Sequence, residues 1–212
     1  MKTAVIGLGN IGSKVAENLA AGGERVIVSQ PNMAEARELA KKLGGQVDAL
    51  PVEEALAKAD VIVLAIWFDV IKEFVAQYRN ALVGKIVVDP SNPIAPNNKG
   101  GFDKIIPADQ SSGKIIAGLL PPGAELVKAF GTVAADSLSF GANRKPERAV
   151  LFYATDFPEA GRVIARLITA SGFAPMSVGG IDKSIRIEAF GDLNQHGKLG
   201  KLVSVKEAEA AL

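Results

Sequence analysis

The chain lacks cysteine, carries a single histidine and shows almost no charge bias. Its 212 residues include 24 Lys and Arg, 23 Asp and Glu and one His, for a formal net charge of +1. Without cysteine it forms no disulfide, zinc–thiolate site or catalytic thiolate. His196 alone cannot build a His-rich metal site, so no metal is expected. Proteins that bind nucleic acid usually carry a marked excess of basic residues. The balanced charge of this chain therefore gives no reason to expect a nucleic acid as its partner.

Long hydrophobic runs are also missing. The longest strongly apolar run, VIVLAIWF at residues 61–68, is far too short to span a membrane. The apolar run near the N-terminus, AVI followed by glycine, is too short for a signal-peptide core. No basic amphipathic stretch suits a membrane surface. With 48% hydrophobic and 22% charged residues, the composition predicts a globular cytoplasmic protein without a membrane partner.

What the chain does contain is an alternation of short apolar runs and amphipathic stretches. Strands are predicted over residues 3–6, 25–29, 47–50, 61–66, 85–89, 125–130, 149–154 and 174–179, and helices over residues 11–21, 33–43, 52–59, 69–82 and 159–172. The runs at 61–66 and 85–89 lack polar alternation, which is typical of strands buried on both faces of a parallel sheet. This order predicts an α/β fold with a doubly wound, mostly parallel Rossmann sheet.

Two segments depart from this alternation. Residues 89–102, DPSNPIAPNNKGGF, are so rich in Pro, Asn and Gly that they predict a loop, and loops of this length are usually functional or disordered. From Ile181 onward the pattern changes. The stretch SIRIEAF at 184–190 fits two-residue alternation or a helix, and we favour the helix. We therefore expect a dinucleotide-binding domain over residues 1–180 and a small helical C-terminal segment over 181–212.

The stretch AVIGLGNIGS, residues 4–13, places three glycines between a predicted strand and a predicted helix. In a G-x-G-x-x-G loop of this kind the first glycine permits the tight turn, the second lets a pyrophosphate approach, and the third lets helix and strand pack closely. The helix N-terminus adds unpaired N–H groups for the phosphates. The alternative is a glycine-rich turn with a structural role only. The predicted cofactor-binding residues are Gly7, Leu8, Gly9, Asn10, Ile11 and Gly12.

The end of the second predicted strand bears on which dinucleotide binds. Proteins that choose NAD usually place Asp or Glu there to hold the ribose hydroxyls. Here the strand ends in Ser29 and Gln30, and the first acid is Glu35, inside the next helix. The uncharged Ser29, Gln30 and Asn32, with Arg37 further along the helix, favour NADP. Alternatively, Ser29 is a plain turn residue and Arg37 a solvated helix residue.

Ligands of doubly wound sheets lie at the carboxyl ends of strands, where the strand order reverses. Trp67, the only tryptophan, falls at such an end and either stacks on a nicotinamide or substrate ring or plugs the edge of the core. Ser91 and Asn92 either bind a carboxamide or substrate or form an Asn-Pro turn. The full set of candidates at these strand ends is Ile66, Trp67, Phe68, Ser91, Asn92, Pro93, Phe130, Gly131 and Thr132.

No catalytic acid or base can be named from the sequence. His196, Asp192 and Asn194 lie far from the glycine loop and are weaker candidates for substrate contact, an exposed bystander role being the alternative. No Ser-His-Asp set is present, and the Tyr-x-x-x-Lys pair of short-chain dehydrogenases is absent. The lack of catalytic acids and bases agrees with hydride transfer between two planar rings. Such a transfer depends more on how the two rings are oriented than on acid–base chemistry.

Five stretches together carry a resemblance to a known family: AVIGLGNIG, the strand-end Ser29, VIVLAIWFDV, IVVDPSNPI and KAFGTV. They resemble the NADPH-dependent deazaflavin reductases, which exchange hydride between NADP and coenzyme F420, and the likeness extends over roughly residues 3–200. It implies a Rossmann domain, a C-terminal part that covers the nicotinamide, and a homodimer. It also implies that Gly7–Gly12 bind phosphate, Ser29 the adenosine ribose, and residues 66–67 and 130–132 face the nicotinamide. Gly131 stands where a histidine is often found.

The sequence therefore predicts an NADP-dependent oxidoreductase that transfers hydride between NADPH and a flavin-like or deazaflavin acceptor. Its partner is then a small-molecule hydride acceptor. Two alternatives stay open. One is a reductase of another small acceptor such as a quinone, and the other is a non-catalytic NADPH-binding redox sensor.

Overall fold

The computed structural model describes residues 1–212 and contains ten strands. The strands are β1 (Lys2–Ile6), β2 (Arg25–Ser29), β3 (Val47–Ala49), β4 (Val61–Leu64), β5 (Ile86–Asp89), β6 (Ile94–Pro96), β7 (Phe102–Lys104), β8 (Glu125–Lys128), β9 (Val150–Tyr153) and β10 (Ala174–Ser177). Six of them form one parallel sheet in the order β3-β2-β1-β4-β5-β8. From β1 the sheet grows to one side through β2 and β3, and to the other side through β4, β5 and β8. The strand order therefore reverses between β1 and β4, which is where ligands of such sheets bind.

Eight α-helices and two short 3-10 helices connect and flank the strands. The helices are α1 (Asn10–Ala21), α2 (Met33–Leu43), α3 (Val52–Lys58), α4 (Phe68–Gln77), α5 (Ser112–Leu119), α6 (Ala135–Phe140), α7 (Pro158–Ala170) and α8 (Val205–Glu209), with 3-10 helices at Arg79–Leu82 and Ile181–Arg186. None of these helices combines the length and the apolar character that crossing a membrane requires.

The large sheet is buried on both faces. Because successive side chains of a strand point to opposite faces, Val5 of β1 packs with α1 and α7, whereas Ala4 and Ile6 pack with α3 and α4. Each face therefore has its own apolar core, which explains the lack of polar alternation in β4 and β5. The predicted doubly wound, mostly parallel α/β fold is confirmed.

The last two strands form a separate pair beside the main sheet. β9 and β10 pair parallel with each other but do not join the main sheet, so their predicted place in one doubly wound sheet was wrong. The only strand-type contact with β8 is a single antiparallel bridge between Lys128 and Ala154, the residue after β9. The Thr155 hydroxyl donates to the Leu126 carbonyl at 2.6 Å, and so occupies an acceptor that a longer ladder would use. Strand-to-strand pairing thus ends after one bridge.

The prediction of a plain loop over 89–102 was wrong in part. β6 and β7 pair antiparallel, with Ile94 opposite Lys104, and form a hairpin. Asn97 organises its turn: the side-chain oxygen accepts from the N–H of Lys99 at 3.0 Å and of Gly101 at 2.9 Å. The Asn and Gly residues that suggested a loop are the turn residues of this hairpin.

The C-terminal segment also differs from expectation. A 3-10 helix ends at Arg186, so the predicted helix over 184–190 was wrong beyond that residue, and Phe190 adopts a left-handed φ of 70°. The remaining segment buries Ile187, Leu193 and Val203 against β9. Helices α5 and α6 were not predicted, and α8 lies within the segment predicted to be helical without having been located. The helix over 69–82 breaks at Tyr78 into α4 and a 3-10 helix.

Candidate functional site

The three glycines of the first loop have three different local environments. Gly7 has a left-handed φ of 89°, and a Cβ there would lie 2.6 Å from the Ala65 carbonyl oxygen. A Cβ at Gly12 would lie 1.9 Å from the carbonyl oxygen of Gly7, so helix and strand pack in contact. A Cβ at Gly9 would have no heavy atom within 4 Å. The loop therefore turns at Gly7, packs at Gly12 and leaves open space at Gly9.

The N-terminus of α1 faces that open space without a side-chain cap. Gly9 is its N-cap residue, no side chain accepts from the first-turn N–H groups, and no acidic residue lies in the first turn. The first N–H groups of a helix have no partner within the helix, and the positive end of the helix dipole attracts anions. Residues 7–12 therefore fit the pyrophosphate of a dinucleotide.

The end of β2 lies directly beside this loop. The Ser29 carbonyl accepts from the Gly7 N–H at 2.8 Å, and the Ser29 side chain is fully buried with no hydrogen-bond partner for its Oγ. Next along the chain, the side chains of Gln30 and Asn32 both donate to the carboxylate of Glu35, at 2.6 and 2.7 Å. We refer to Gln30, Asn32 and Glu35 as the amide–carboxylate cluster.

Arg37 does not join this cluster. It is exposed and forms neither a hydrogen bond nor an ion pair. Residues two apart on an α-helix are separated by about 200° around its axis, so Arg37 and Glu35 point to opposite sides of α2. Among the ionisable groups of this helix, the structure brings Glu35 to the end of β2.

At the end of β4, the two aromatic candidates have different surroundings. Phe68 is 1% exposed and packs in the core on the α3 and α4 face, with the Lys72 ammonium 4.8 Å from its ring centre. Trp67 is 57% exposed, so it does not plug the core. Ile66 is half-buried between them and the glycine loop, where its Cγ2 would lie 2.6 Å from a Cβ at Gly7. Only Trp67 presents a free aromatic face.

The segments that follow β5 and β8 lie against each other. A Cβ at Gly131 would be 2.2 Å from the Pro90 carbonyl oxygen, so no side chain fits at this position. The Asn92 amide donates to the Gly131 carbonyl at 3.0 Å and accepts from the Ala189 N–H at 2.6 Å. Asn92 therefore joins both strand ends to the C-terminal segment. Its neighbour Pro93 is buried.

Further bonds attach the C-terminal segment to the end of β8. The Asn194 amide donates to the carbonyls of Gly131 and Ile187, at 3.2 and 3.0 Å. The Gln195 N–H donates to the Thr132 carbonyl at 2.9 Å. The other two C-terminal candidates lie at the surface: Asp192 pairs with Arg186 at 2.8 Å, and His196 is exposed.

A buried ionic network lies beneath these strand ends. Lys128 and Asp89 are register partners on β8 and β5, 2% and 0% exposed, and the Lys128 Nζ donates to Asp89 Oδ2 at 2.6 Å. The Nζ also donates to the Ser112 Oγ at 2.8 Å and to the Ser91 carbonyl. All three ammonium hydrogens are thus in use, as a buried cation requires.

The network continues into the C-terminal segment through Glu188. This carboxylate is 1% exposed and accepts from the N–H groups of Ser112 and Gly113, at 2.9 and 3.0 Å, at the N-terminus of α5. Sequence reasoning placed Asp89 at a strand end where ligands bind but gave it no role, and it missed Lys128 and Glu188. Asp89 ends the otherwise apolar strand β5, and Lys128 interrupts the apolar run at residues 126–130, so each left a signal, whereas Glu188 left none.

Two hydroxyls at the same edge have no partner. Ser91 Oγ and Thr132 Oγ1 are buried and form no hydrogen bond. Both candidates therefore retain bonding capacity beside the Pro90–Gly131 contact. Phe130, two residues beyond the end of β8 and two before Thr132, is 1% exposed and holds a left-handed φ of 65°, a conformation that persists only where the surroundings impose it.

The family follows from comparison with known proteins. Residues 2–93 match the model of the family described as NADP oxidoreductase, coenzyme F420-dependent. A solved structure of a hypothetical protein from Sinorhizobium meliloti is 32% identical, with 92% of this chain and 93% of that chain covered and a TM-score of 0.81. The chain belongs to the F420-dependent NADP oxidoreductase family. This confirms the resemblance, and the family's NADP-dependent redox activity makes the protein an oxidoreductase.

More distant structures share the fold. A protein from Arthrobacter sp. FB24, described as a candidate F420-dependent NADP reductase, is 22% identical, with 87% of each chain covered and a TM-score of 0.75. The 3-hydroxyisobutyrate dehydrogenase of Mycobacterium tuberculosis is 17% identical with a TM-score of 0.64, and the match covers 87% of this chain but 56% of the dehydrogenase. A comparison with curated proteins finds no match. The family match contains the glycine loop, Ser29 and the ends of β4 and β5.

Proposed function

We propose that the protein transfers hydride between NADPH and a flavin-like or deazaflavin acceptor. Family membership supports NADP-dependent redox chemistry. The observation that carries the proposal is the glycine loop, in which the space at Gly9 faces the uncapped N-terminus of α1. The acceptor class rests on the family description and on the shortage of free catalytic groups.

The proposed cofactor position follows from the order of the strand ends. Residues 7–12 would bind the pyrophosphate, and Ser29, Gln30 and Asn32 would lie at the adenosine ribose. The nicotinamide would then lie beyond the loop, towards Ile66 and Trp67 on β4 and residues 130–132 after β8. This arrangement agrees with binding at the point where the strand order reverses.

The acceptor would bind next to the nicotinamide, under the C-terminal segment. The cofactors supply the redox chemistry of such a transfer, and the protein aligns them. Asp89, Lys128 and Glu188 are buried and bonded to one another or to α5, so they shape the floor of the site rather than act as free acids or bases. Trp67 offers an exposed ring on which a planar acceptor could stack.

A titration and turnover experiment tests this function. Purified protein is titrated with NADPH and NADH while nicotinamide fluorescence is followed. Oxidation of NADPH is then measured with coenzyme F420, FMN, FAD and a soluble quinone in parallel. We expect tight NADPH binding and oxidation by F420 or a flavin.

Each alternative function has its own signature in these data. Oxidation by quinone alone would replace the proposed acceptor class. Tight binding without turnover of any acceptor would favour the redox sensor. Binding of neither nucleotide would contradict the function and the role of the glycine loop.

Assembly and location are part of the same proposal. The family resemblance implies a homodimer, and the composition predicts a cytoplasmic protein. Exposed aromatic side chains such as Phe140 (68%) and Phe190 (53%) are available for an interface between subunits. Light scattering coupled to gel filtration measures the assembly directly. A monomer at micromolar concentration would contradict the dimer.

A further inference from the structure

The amide–carboxylate cluster places an acid where the sequence predicted neutral donors. Gln30 Nε2 donates to Glu35 Oε2 at 2.6 Å, and Asn32 Nδ2 donates to Glu35 Oε1 at 2.7 Å. Both carboxylate oxygens are therefore engaged by the two uncharged amides that led the sequence to favour NADP. A phosphate could use these donors only by displacing Glu35.

The cluster lies at the ribose end of the cofactor site. Gln30 directly follows Ser29, whose carbonyl is hydrogen-bonded to the first glycine of the loop at 2.8 Å. In dinucleotide-binding folds an acid at the end of this strand binds the ribose 2′-hydroxyl. Glu35 reaches the same place from the first turn of α2, six positions after the strand has ended.

The charge of Glu35 is not neutralised by a neighbouring cation. No lysine or arginine lies within ion-pair distance of its carboxylate, and its two hydrogen-bond donors are uncharged amides. Arg37, the cation that could offset it, lies on the opposite side of the helix. Like charges at contact distance repel even in a solvated setting, and a 2′-phosphate bound at Gln30 would be near this carboxylate.

We infer that Glu35 is a specificity-determining residue that repels the 2′-phosphate of NADPH. It thereby keeps the affinity for NADPH only slightly higher than the affinity for NADH. The inference rests on the proposed function, because it assumes that a dinucleotide binds at the glycine loop. It adds that the preference is set by a balance between the neutral donors and one carboxylate. With NADH bound, the same carboxylate can accept a hydrogen bond from the free 2′-hydroxyl.

A purely structural role predicts a different result. Glu35 is the third residue of α2, Asn32 is the N-cap residue, and an acid in the first turn stabilises a helix through its dipole. If Glu35 served the helix alone, its substitution would change the thermal stability and would affect both nucleotides equally.

The test compares Glu35→Gln with Glu38→Gln. Glu38 is an exposed acid on the same helix with no ion pair, so its substitution changes the net charge equally without touching the cluster. Dissociation constants are measured for NADPH and NADH, and for the fragments adenosine 2′,5′-bisphosphate and ADP. Each is measured at low and at high salt, and thermal unfolding of each variant is recorded.

We expect Glu35→Gln to tighten NADPH and the 2′-phosphorylated fragment about tenfold at low salt, with NADH and ADP changed less than about twofold. The gain should shrink at high salt because an interaction near solvent is screened. Glu38→Gln should leave the NADPH to NADH ratio unchanged.

Two outcomes would overturn the inference, and they differ from failure of the proposed function. If both nucleotides change equally, or neither changes, while the wild-type protein still binds and oxidises NADPH, only the role of Glu35 is wrong. If the wild-type protein binds no dinucleotide at all, the proposed function is wrong and the inference falls with it.

Discussion

The two ends of the candidate site are built in opposite ways. At the adenosine end, the side-chain hydrogen bonds join residues three and five positions apart, and the cluster lies at the surface. At the acceptor end, Lys128 is bonded to residues 39 and 16 positions away, and Glu188 to a residue 76 positions away. The first end is local and solvated, whereas the second is assembled from distant segments and buried.

Because of this difference, we expect substitutions at the two ends to affect different properties, nucleotide affinity at one end and folding stability at the other. A change at the adenosine end alters a solvated surface, so it should affect nucleotide affinity and leave the fold intact. A change at the acceptor end leaves a buried charge without its partner, so it should affect stability first. The following predictions test that separation, beginning with the largest effect.

Lys128→Met should destabilise the protein by about 3–5 kcal/mol, because Asp89 would keep a buried charge without its partner. Denaturant unfolding followed by circular dichroism measures the change. Lys114→Met, which removes an exposed lysine of α5, serves as the matched control and should change stability by less than about 0.5 kcal/mol. A loss below about 1 kcal/mol for Lys128→Met would show that the buried network is dispensable.

Gly9→Val should weaken NADPH binding by at least about a hundredfold with the fold intact, since the side chain would fill space that the pyrophosphate needs. A Cβ at this position would have no heavy atom within 4 Å. Fluorescence titration and a melting curve measure both properties. Gly45→Val, also in open space, is the control and should bind normally. Normal binding by Gly9→Val would contradict the role assigned to the loop.

Glu188→Gln should cost about 1–3 kcal/mol of stability, because an amide oxygen can replace only part of the carboxylate's bonding to the N–H groups of α5. Its effect on function should also be confined to the acceptor end. We expect a raised KM for the acceptor and an unchanged Kd for NADPH. Glu209→Gln, exposed on α8, is the control. A weaker NADPH affinity would mean that the two ends are coupled.

The smallest effect is expected at the solvated end of the C-terminal segment. The hydrogen bond from Lys201, with those from Ser204, lowers the pKa of Glu207 from 4.5 to about 2. A carboxylate with a lowered pKa stabilises the folded form above its unfolded pKa, and this contribution is lost as the pH falls from about 4.5 towards 2. NMR titration of the Glu207 carboxyl carbon should show this low midpoint, and loosening of α8 should follow it. In Lys201→Met the midpoint should rise, and an unchanged midpoint would contradict the assigned cause.

Local patterns predicted much of this structure. The bounds of β2 and α2 agree with the sequence prediction to the residue, because apolar runs and glycine stops act over a few neighbouring positions. The roles of Gly7 and Gly12 also follow from their spacing, and the structure shows the close contacts that exclude a side chain at each. These features depend on the order of residues alone.

Other features could not be predicted because they depend on segments far apart in the chain. Gly131 is required by the Pro90 carbonyl, and Asn92 is engaged by the C-terminal segment, neither of which a local pattern can indicate. The same is true of Glu188, a single acid in an irregular segment that becomes the partner of the α5 N-terminus.

By itself the sequence determined the doubly wound sheet, the glycine loop and the family to which they point, since periodicity and spacing are properties of neighbouring residues. Only the tertiary structure decided which charges are buried and which lie beside the ribose. The reason is physical: the energy of a charge depends on the solvent and the partners around it. For Lys128, Glu188 and Glu35, those surroundings exist only once the chain has folded.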